Sequence, residues 1–344
     1  MFQLSEFLSP RPEPLWQLVQ QAGVTNVVAV LQGAEQEQRM FASLEGGVAV
    51  AAGDDPAQRD AAPWSEASIA RDMAIFAEGG FDVVAIEDTA PMDKIRLGHE
   101  GRDEQIEHVI TQLEAMGNLG VRVLCYNWMA ISSWARTSVA TPGRGGALVT
   151  GFSLEDASAL PELVPAGSVT HEQLWEALEY FLAAVLPVAE KLGVRMGMHP
   201  DDPPLESVRN MPRIMNSPQN YRRLLALSDS SSNGITFCQG NFALMNTEMN
   251  ADVPSLIREF GARIPFVHFR NVRGTAENFV ETFHDDGVLD MAECLRAYSD
   301  IGFNGPLRPD HVPTLYGESN ARPGYENLGR LFAIGYIRGL QHAL

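Results

Sequence analysis

The chain of 344 residues has few cysteines and no excess of positive charge. Its three cysteines, Cys125, Cys238 and Cys294, are too few and too odd in number for a disulfide framework, which favours a reducing compartment. Lysine and arginine total 25 against 44 acidic residues, and the formal charge is −19. Because nucleic-acid binding needs a basic surface, this balance argues against a nucleic-acid partner.

Long apolar runs and targeting signals are also missing. No uncharged apolar stretch approaches the ~20 residues that a membrane-spanning helix needs. The first residues, MFQLSE, do not place a basic segment before an apolar one, so no signal peptide is predicted. We therefore expect a cytoplasmic protein without a membrane partner. An acidic protein repels anions at long range, so an anionic substrate would need local arginines, a metal or helix N-termini to bind.

Short apolar runs alternate with amphipathic segments along most of the chain. Patterns typical of helices cover residues 14–22, 66–78, 103–117, 170–192, 217–228, 252–260, 289–301 and 324–340. Patterns typical of buried strands cover residues 24–31, 81–86, 121–126, 194–199, 234–238, 264–269 and 306–309. This alternation predicts βαβ units with a parallel sheet. The glycine-rich motifs of dinucleotide and P-loop sites are absent, so the repeats favour an α/β fold of the (β/α)8 TIM-barrel type, although the eighth strand has no clear pattern.

The expected domain organisation is one TIM barrel over residues 1–344, with two departures from the repeat. Residues 32–62 are a divergent insertion that includes a candidate strand at 46–52. Residues 127–169 form a connection too long for an ordinary turn. Connections of this length are usually lids, binding loops or disordered segments.

Side chains able to bind a metal follow four of the predicted strands. His199, Cys238, His268 and Asp310 each stand at or just after a strand end, as do Glu87 and the pair Tyr126-Asn127. In a TIM barrel, the C-terminal strand ends form the active site. Each residue alone has an ordinary explanation, as a structural histidine, a buried cysteine or a helix cap. Together, two imidazoles, a thiolate and a carboxylate suit Mn²⁺, Fe²⁺, Co²⁺ or Zn²⁺, whereas the thiolate disfavours Mg²⁺ and Ca²⁺.

Arginines lie beside this candidate metal site. Arg270 and Asn271 follow His268, and Arg308 precedes Asp310. An arginine can hold a substrate carboxylate through two hydrogen bonds, but a structural salt bridge is an equal alternative for either arginine. In the segment HPDDPP, which begins at His199, either aspartate could support a ligand histidine, although a rigid acidic turn is the preferred reading for the second.

Nine stretches of the chain resemble the mannonate dehydratases. They are KIRLG (94–98), GRD (101–103), CYNWM (125–129), WART (134–137), HPDDPP (199–204), NGITFC (233–238), VHFRN (267–271), GPLRPDH (305–311) and PGY (323–325). They run in the family's order from about the second strand to the C-terminus, and as a set they are specific to the family. The resemblance implies a xylose-isomerase-like barrel and a metal-dependent hydro-lyase of hexuronate breakdown.

The resemblance also implies a reaction and a set of roles. The reaction converts the anionic sugar acid D-mannonate to 2-dehydro-3-deoxy-D-gluconate and water, and the protein is expected to be a homo-oligomer. The implied metal is Mn²⁺, with Fe²⁺ or Co²⁺ as alternatives, and its ligands are His199, Cys238, His268 and Asp310. The implied catalytic pair is His311 and Tyr325, without an assignment of acid and base. The predicted substrate-binding residues are Arg308, Arg270, Asn271, Asn127 and Arg136.

The chain departs from the family in three places near the substrate side. The family has a pair of histidines after the first strand, where this chain reads Leu31-Gln32-Gly33-Ala34. The family's Asp-His-Gly ends in Val312 here, and residues 35–62 do not match the family's short connection. A related aldonic or uronic acid is therefore an alternative substrate. A sugar isomerase or epimerase and a non-catalytic binding protein are alternative functions, although isomerases usually hold their metal with several carboxylates.

Overall fold

The structure is a computed structural model that describes residues 2–31, 61–245 and 252–344. The strands within these residues are β1 (Gln3–Leu8), β2 (Asn26–Ala29), β3 (Asp82–Ile86), β4 (Val123–Asn127), β5 (Ser138–Pro142), β6 (Leu148–Ser153), β7 (Arg195–His199), β8 (Ser207–Val208), β9 (Met211–Pro212), β10 (Asn233–Cys238), β11 (Phe266–Phe269), β12 (Val272–Thr275), β13 (Asn278–Glu281) and β14 (Pro306–Pro309). The α-helices span Pro14–Gln21, Glu66–Glu78, Asp93–Leu97, Arg102–Leu119, Leu154–Ser158, His171–Leu192, Pro218–Ala226, Gln239–Leu244, Val253–Phe260, Met291–Asp300 and Asn327–Ala343.

Eight parallel strands close into a barrel in the order β1-β14-β11-β10-β7-β4-β3-β2. Seven of these strands lie where the apolar runs predicted them, and the TIM-barrel fold is confirmed. Helices connect successive strands and pack their apolar faces against the outside of the barrel. The longest, His171–Leu192, begins with a capping box in which the Thr170 hydroxyl accepts from the Gln173 amide, and it ends at Gly193 in the left-handed region, φ 65°.

The eighth barrel strand is β1 at the N-terminus, which the sequence pattern did not reveal. It pairs in parallel with both β2 and β14 and so closes the barrel. Its sequence, QLSEFL, places Ser5 and Glu6 in the buried interior, where each is at most 2% exposed. The carboxylate of Glu6 accepts a hydrogen bond from the Phe7 amide and lies 3.4 Å from Arg330. Because two of its buried positions carry polar side chains, β1 lacks the apolar run that marked the other barrel strands.

A second sheet is built from two segments that the sequence analysis left without strands. The long connection 127–169 contains β5 and β6, and the chain just after β11 forms the hairpin β12-β13. Together they make an antiparallel sheet in the order β12-β13-β6-β5. Because β12 begins three residues after the end of β11, this sheet is tied to the C-terminal ends of the barrel strands.

Two expectations about the organisation of the chain stay predictions. The insertion at 32–62, with its candidate strand at 46–52, lies outside the described residues apart from positions 61 and 62. The expectation that residues 1–344 form one domain also stays a prediction. Among the helices that the structure describes, none combines the length and apolar character needed to cross a membrane.

A buried histidine makes the stability of the fold depend on pH. His284 is inaccessible to solvent and donates from Nε2 to the Phe269 carbonyl at 2.7 Å. Burial lowers the pKa of His284 from 6.5 to about 4. As the pH falls from about 6.5 towards 4, the unfolded chain binds a proton at this histidine that the folded chain does not. The free energy of unfolding therefore decreases by about 3 kcal/mol.

We expect His284→Gln to remove this part of the pH dependence, because glutamine can donate to Phe269 but does not titrate. Urea denaturation at a series of pH values should show that the wild type loses about 3 kcal/mol more than the variant between about pH 7 and pH 4. Parallel stability profiles for the two proteins would contradict this expectation.

Candidate metal centre and active site

The four predicted metal ligands meet at the C-terminal end of the barrel. They come from β7, β10, β11 and the residue after β14, which are neighbours in the closed sheet, and Cys238 and His268 are direct partners in the β10–β11 pairing. His199 Nε2 lies 3.1 Å from His268 Nδ1. Asp310 Oδ2 lies 3.6 Å from the same His268 nitrogen and 3.8 Å from Cys238 Sγ. Adjacent parallel strands thus bring together residues that are far apart in the sequence.

The protonation pattern of this cluster fits a bound cation. His199 Nδ1 lies 2.7 Å from the Pro200 carbonyl, which can only accept, so Nδ1 carries the hydrogen and the lone pair of Nε2 faces His268. Burial, with a further contribution from His268, lowers the pKa of His199 to about 4, so the imidazole is neutral. A neutral imidazole, a second imidazole, a carboxylate and a thiol therefore converge on one point. This donor set suits a divalent transition metal.

Cys238 would have to lose a proton when a metal binds. The thiol is fully buried, and burial raises its pKa to about 12 although the neighbouring Arg270 opposes this shift. A thiol binds transition metals as the thiolate, so metal binding at this site releases a proton. Arg270 Nη1 lies 3.5 Å from Cys238 Sγ and provides positive charge beside the sulfur.

Asp310 uses its two carboxylate oxygens differently. Oδ1 accepts hydrogen bonds from Arg308 Nη1 at 2.8 Å and from the Tyr325 hydroxyl at 3.0 Å. Oδ2 is left facing His268 and Cys238. Burial alone would raise the pKa of Asp310, but the guanidinium groups of Arg308 and Arg270 keep that pKa well below its usual range. The carboxylate is therefore ionised and presents one oxygen to the metal position.

The predicted catalytic pair, His311 and Tyr325, lies directly beside this carboxylate. The rings of the two residues are 5.3 Å apart, and Trp134 packs its edge against His311 at 5.0 Å. His311 has a φ of 41°, in the left-handed region, and its Nδ1 has no hydrogen-bond partner among the residues that the structure describes. Burial lowers the pKa of His311 well below its usual value and raises the pKa of Tyr325 well above its own. The imidazole is thus neutral and the phenol protonated.

Two of the predicted substrate-binding arginines are engaged in a buried ion-pair quartet. Arg136 binds both oxygens of Asp202 at 2.8 and 2.9 Å, and Arg270 binds the same carboxylate at 2.9 Å. Both arginines also contact Glu281 Oε1, at 2.6 and 2.9 Å. All four side chains are at most 1% exposed. Asp202 is therefore a buried ion-pair partner of two arginines, a role that the sequence interpretation did not assign to it.

The remaining predicted substrate-binding residues occupy different environments. Arg308 is held by Glu87 and Asp310, and Asn271 is turned towards the backbone of His284 and Leu289. Asn127 accepts from the Met129 amide through its side chain. Of the five predicted residues, Asn127, Arg136 and Arg308 line the cavity described below. Their contact with a substrate stays a prediction.

A cavity of about 940 Å³ opens over the cluster. This volume lies within the range of small-molecule sites, roughly 300–1,000 Å³. Its lining includes three of the predicted metal ligands and the predicted catalytic pair, which are His199, His268, Asp310, His311 and Tyr325. The candidate metal site, the neutral imidazole of His311 and the protonated phenol of Tyr325 therefore surround one cavity.

Comparison with known proteins identifies the family. A sequence model of the D-mannonate dehydratase family (UxuA) matches residues 15–166 and 162–344. The mannonate dehydratase of Enterococcus faecalis (strain ATCC 700802 / V583) is 36% identical over 313 residues, which cover 81% of this chain and 86% of that protein. The chain belongs to the D-mannonate dehydratase family.

Structural similarity agrees with membership in the D-mannonate dehydratase family. The crystal structure of mannonate dehydratase from Streptococcus suis serotype2 superimposes with a TM-score of 0.84 at 28% identity, covering 99% of this chain and 93% of that one. A xylose isomerase domain protein from Planctomyces limnophilus, at 13% identity and a TM-score of 0.57, shares the fold. Membership confirms the predicted xylose-isomerase-like barrel and the hydro-lyase class. The family depends on a metal, which agrees with the donor cluster described above.

Some residues that shape the family site in this chain were not predicted from the sequence. Glu281 lies on β13, a strand without a clear sequence pattern, and no signal pointed to it. Trp134 belongs to a stretch that resembles the family, but its packing against His311 required the fold. Glu87 was recognised as a strand-end residue without an assigned role, and its position after β3 was the signal that could have found it.

The ion-pair quartet yields a stability prediction. Asp202→Asn should remove one of the two carboxylates that Arg136 and Arg270 share, and removing one member of a buried ion pair costs about 3–5 kcal/mol. The matched control is Glu259→Gln, which breaks the ion pair to Arg222 at 2.6 Å, where the two side chains are 40% and 46% exposed. That change should cost less than about 1 kcal/mol. Urea denaturation measures both, and equal losses in the two variants would refute the role assigned to Asp202.

Proposed function

We propose that this chain dehydrates D-mannonate to 2-dehydro-3-deoxy-D-gluconate and water, with Mn²⁺ as the metal. The observation that carries the proposal is the convergence of four metal-binding side chains, a neutral imidazole and a protonated phenol on one cavity. The mannonate dehydratase name of the relatives gives the substrate, an anionic sugar acid.

The proposed ligands are His199, Cys238, His268 and Asp310. When bound, a divalent metal would act as a Lewis acid on the substrate carboxylate and the adjacent hydroxyl, which stabilises the negative charge that develops when the C2 proton leaves. The resemblance to the family favours Mn²⁺, and the mixed donor set is also compatible with Fe²⁺ and Co²⁺.

His311 is the proposed base and Tyr325 the proposed acid. The neutral imidazole of His311 can accept the C2 proton, since burial lowers its pKa well below the usual value. Removal of the C2 proton leaves the electron pair of the C2–H bond as enediolate-like charge. This electron pair then forms the C2–C3 double bond as the C3–O bond breaks. Tyr325, whose pKa burial raises, can give its proton to the leaving hydroxyl, which departs as water. The resulting enol gains a proton at C3 and loses the proton of its C2 hydroxyl to give the 2-keto acid.

The surroundings of the site support binding of an anion in an otherwise acidic protein. Three arginines lie beside the metal cluster, and we propose that Arg308, Arg136 and Asn127 face the substrate, with Arg270 and Asn271 behind them. We further propose a homo-oligomer in the cytoplasm. The three cysteines are unpaired and buried, which supports a reducing compartment, and light scattering on the purified protein tests the oligomer.

The function is tested by incubating metal-loaded protein with D-mannonate and measuring 2-keto-3-deoxy acid colorimetrically. We expect product with Mn²⁺, and less product with Mg²⁺, because a thiolate ligand disfavours the harder cation. Parallel assays with Fe²⁺, Co²⁺ and a panel of aldonic and uronic acids identify the preferred metal and substrate. Absence of a keto-deoxy product from every acid, with a C2 epimer formed instead, would refute the dehydratase proposal.

The metal ligands are tested in the same preparation. Cys238→Ser and His268→Ala should each lose most of the bound metal, because each removes a proposed ligand from the cluster. Elemental analysis of the purified variants provides the measurement, and Cys294→Ser is the control, since Cys294 is buried on the helix Met291–Asp300. Full metal occupancy in both ligand variants would show that the assigned set is wrong.

The acid and base roles are separated by isotope exchange. In D-mannonate labelled with deuterium at C2, Tyr325→Phe should still release the label to solvent while forming little product, because the base is intact and the acid is missing. His311→Gln should neither release the label nor form product. Mass spectrometry of recovered substrate gives the measurement, and the opposite pattern would exchange the two roles.

A further inference from the structure

Glu87 is a partly buried carboxylate, 18% exposed, to which neither the metal site nor the acid–base pair has given a role. It follows β3, on the side of the barrel opposite β11, and it lines the cavity. Both of its oxygens accept hydrogen bonds from Arg308, Nε to Oε2 and Nη2 to Oε1, each at 2.7 Å. Its Oε2 also lies 3.3 Å from His268 Nε2. The Glu87 carboxylate therefore contacts one proposed metal ligand, His268, and one arginine beside the cluster, Arg308.

The contact with His268 determines which ring nitrogen can bind a metal. A carboxylate beside Nε2 favours the tautomer in which Nε2 carries the hydrogen. Nδ1 lies 3.1 Å from His199 Nε2, whose lone pair favours a hydrogen on Nδ1 when no metal is bound, so Glu87 and His199 compete for the tautomer of His268. Without Glu87, the contact with His199 would favour the hydrogen on Nδ1, and that form cannot bind a metal through Nδ1.

The contact with Arg308 reaches a second ligand. Arg308 uses Nε and Nη2 for Glu87 and donates from Nη1 to Asp310 Oδ1 at 2.8 Å. These three hydrogen bonds fix the orientation of the Arg308 guanidinium. The bond to Oδ1 of Asp310 leaves Oδ2 of that carboxylate facing the metal position. Glu87 thus orients one ligand directly and one through Arg308.

A different use of the same residues is a second metal site. Donor atoms of Glu87, Cys125 and His268 all lie within 4.8 Å of one another. Two observations oppose this use. Both oxygens of Glu87 are already bound by a cationic guanidinium, and burial raises the pKa of the Cys125 thiol well above its usual value. These observations favour a role for Glu87 in orienting the ligands of one metal site over a role as a ligand in a second site.

We propose that Glu87 is a positioning residue that holds His268 in the tautomer with a free Nδ1 and, through Arg308, holds the carboxylate of Asp310. This inference rests on the metal-dependent function proposed above and adds a residue that positions the metal ligands. It is measured by metal binding in the absence of substrate, so failure to find a sugar-acid substrate would leave this test unaffected.

Metal titration of the full chain tests the proposal. The protein is stripped of metal and titrated with Mn²⁺ while electron paramagnetic resonance follows the free ion. Glu87→Gln should bind Mn²⁺ about 10- to 100-fold more weakly than the wild type, the usual effect of losing a partner of a ligand histidine. The stoichiometry should stay at one ion per chain. Cys125→Ser, the matched control, should keep both wild-type affinity and stoichiometry.

Two further measurements separate orientation from a general loss of structure. Glu87→Asp retains the charge and should recover part of the affinity, whereas a variant that merely unfolds would show no such rescue. In metal-free protein labelled with ¹⁵N-histidine, the His268 signals, assigned by their loss in His268→Gln, should show more protonation of Nε2 in the wild type than in Glu87→Gln.

Two results would overturn the proposal. One is wild-type affinity together with an unchanged His268 tautomer in Glu87→Gln. The other is binding of two ions per wild-type chain, with one of them lost in both Glu87→Gln and Cys125→Ser, which would assign these residues to a second metal site.

Discussion

Asp310 accepts two hydrogen bonds on one oxygen, and the organisation of the site depends on this arrangement. Arg308 and the Tyr325 hydroxyl both bind Oδ1, which leaves Oδ2 facing His268 and Cys238. One carboxylate therefore links the metal position to the proposed acid. A shift of Asp310 would disturb the ligand geometry and the acid–base pair together, which explains why it is held from more than one side.

Buried ion pairs join four segments of the chain at the mouth of the barrel. The quartet of Arg136, Arg270, Asp202 and Glu281 joins the long connection, the end of β7, the end of β11 and the antiparallel sheet. Such charges are expensive to remove from water, and they are tolerated because each is paired with good geometry. The quartet also places Arg270 beside Cys238, so the structural network and the metal centre share a residue.

Much of the fold and the donor set could be predicted because parallel barrel strands have a simple sequence pattern. Seven barrel strands were found as short, mostly apolar runs, and a metal-binding residue at the end of such a run lies at one rim of the barrel. β1 was missed because its buried positions include Ser5 and Glu6. Within the antiparallel sheet, β12 (VRGT) was missed because it is short and largely exposed.

The sequence by itself determined which chemical groups stand at the strand ends, because strand periodicity and residue identity are local properties. Only the tertiary structure decided what those groups bind. Arg308 and Glu87 are 221 residues apart in the sequence, yet they form two hydrogen bonds of 2.7 Å. The sequence could not distinguish a salt bridge from a substrate contact for Arg270 or Arg308, since the choice depends on partners that barrel closure brings together.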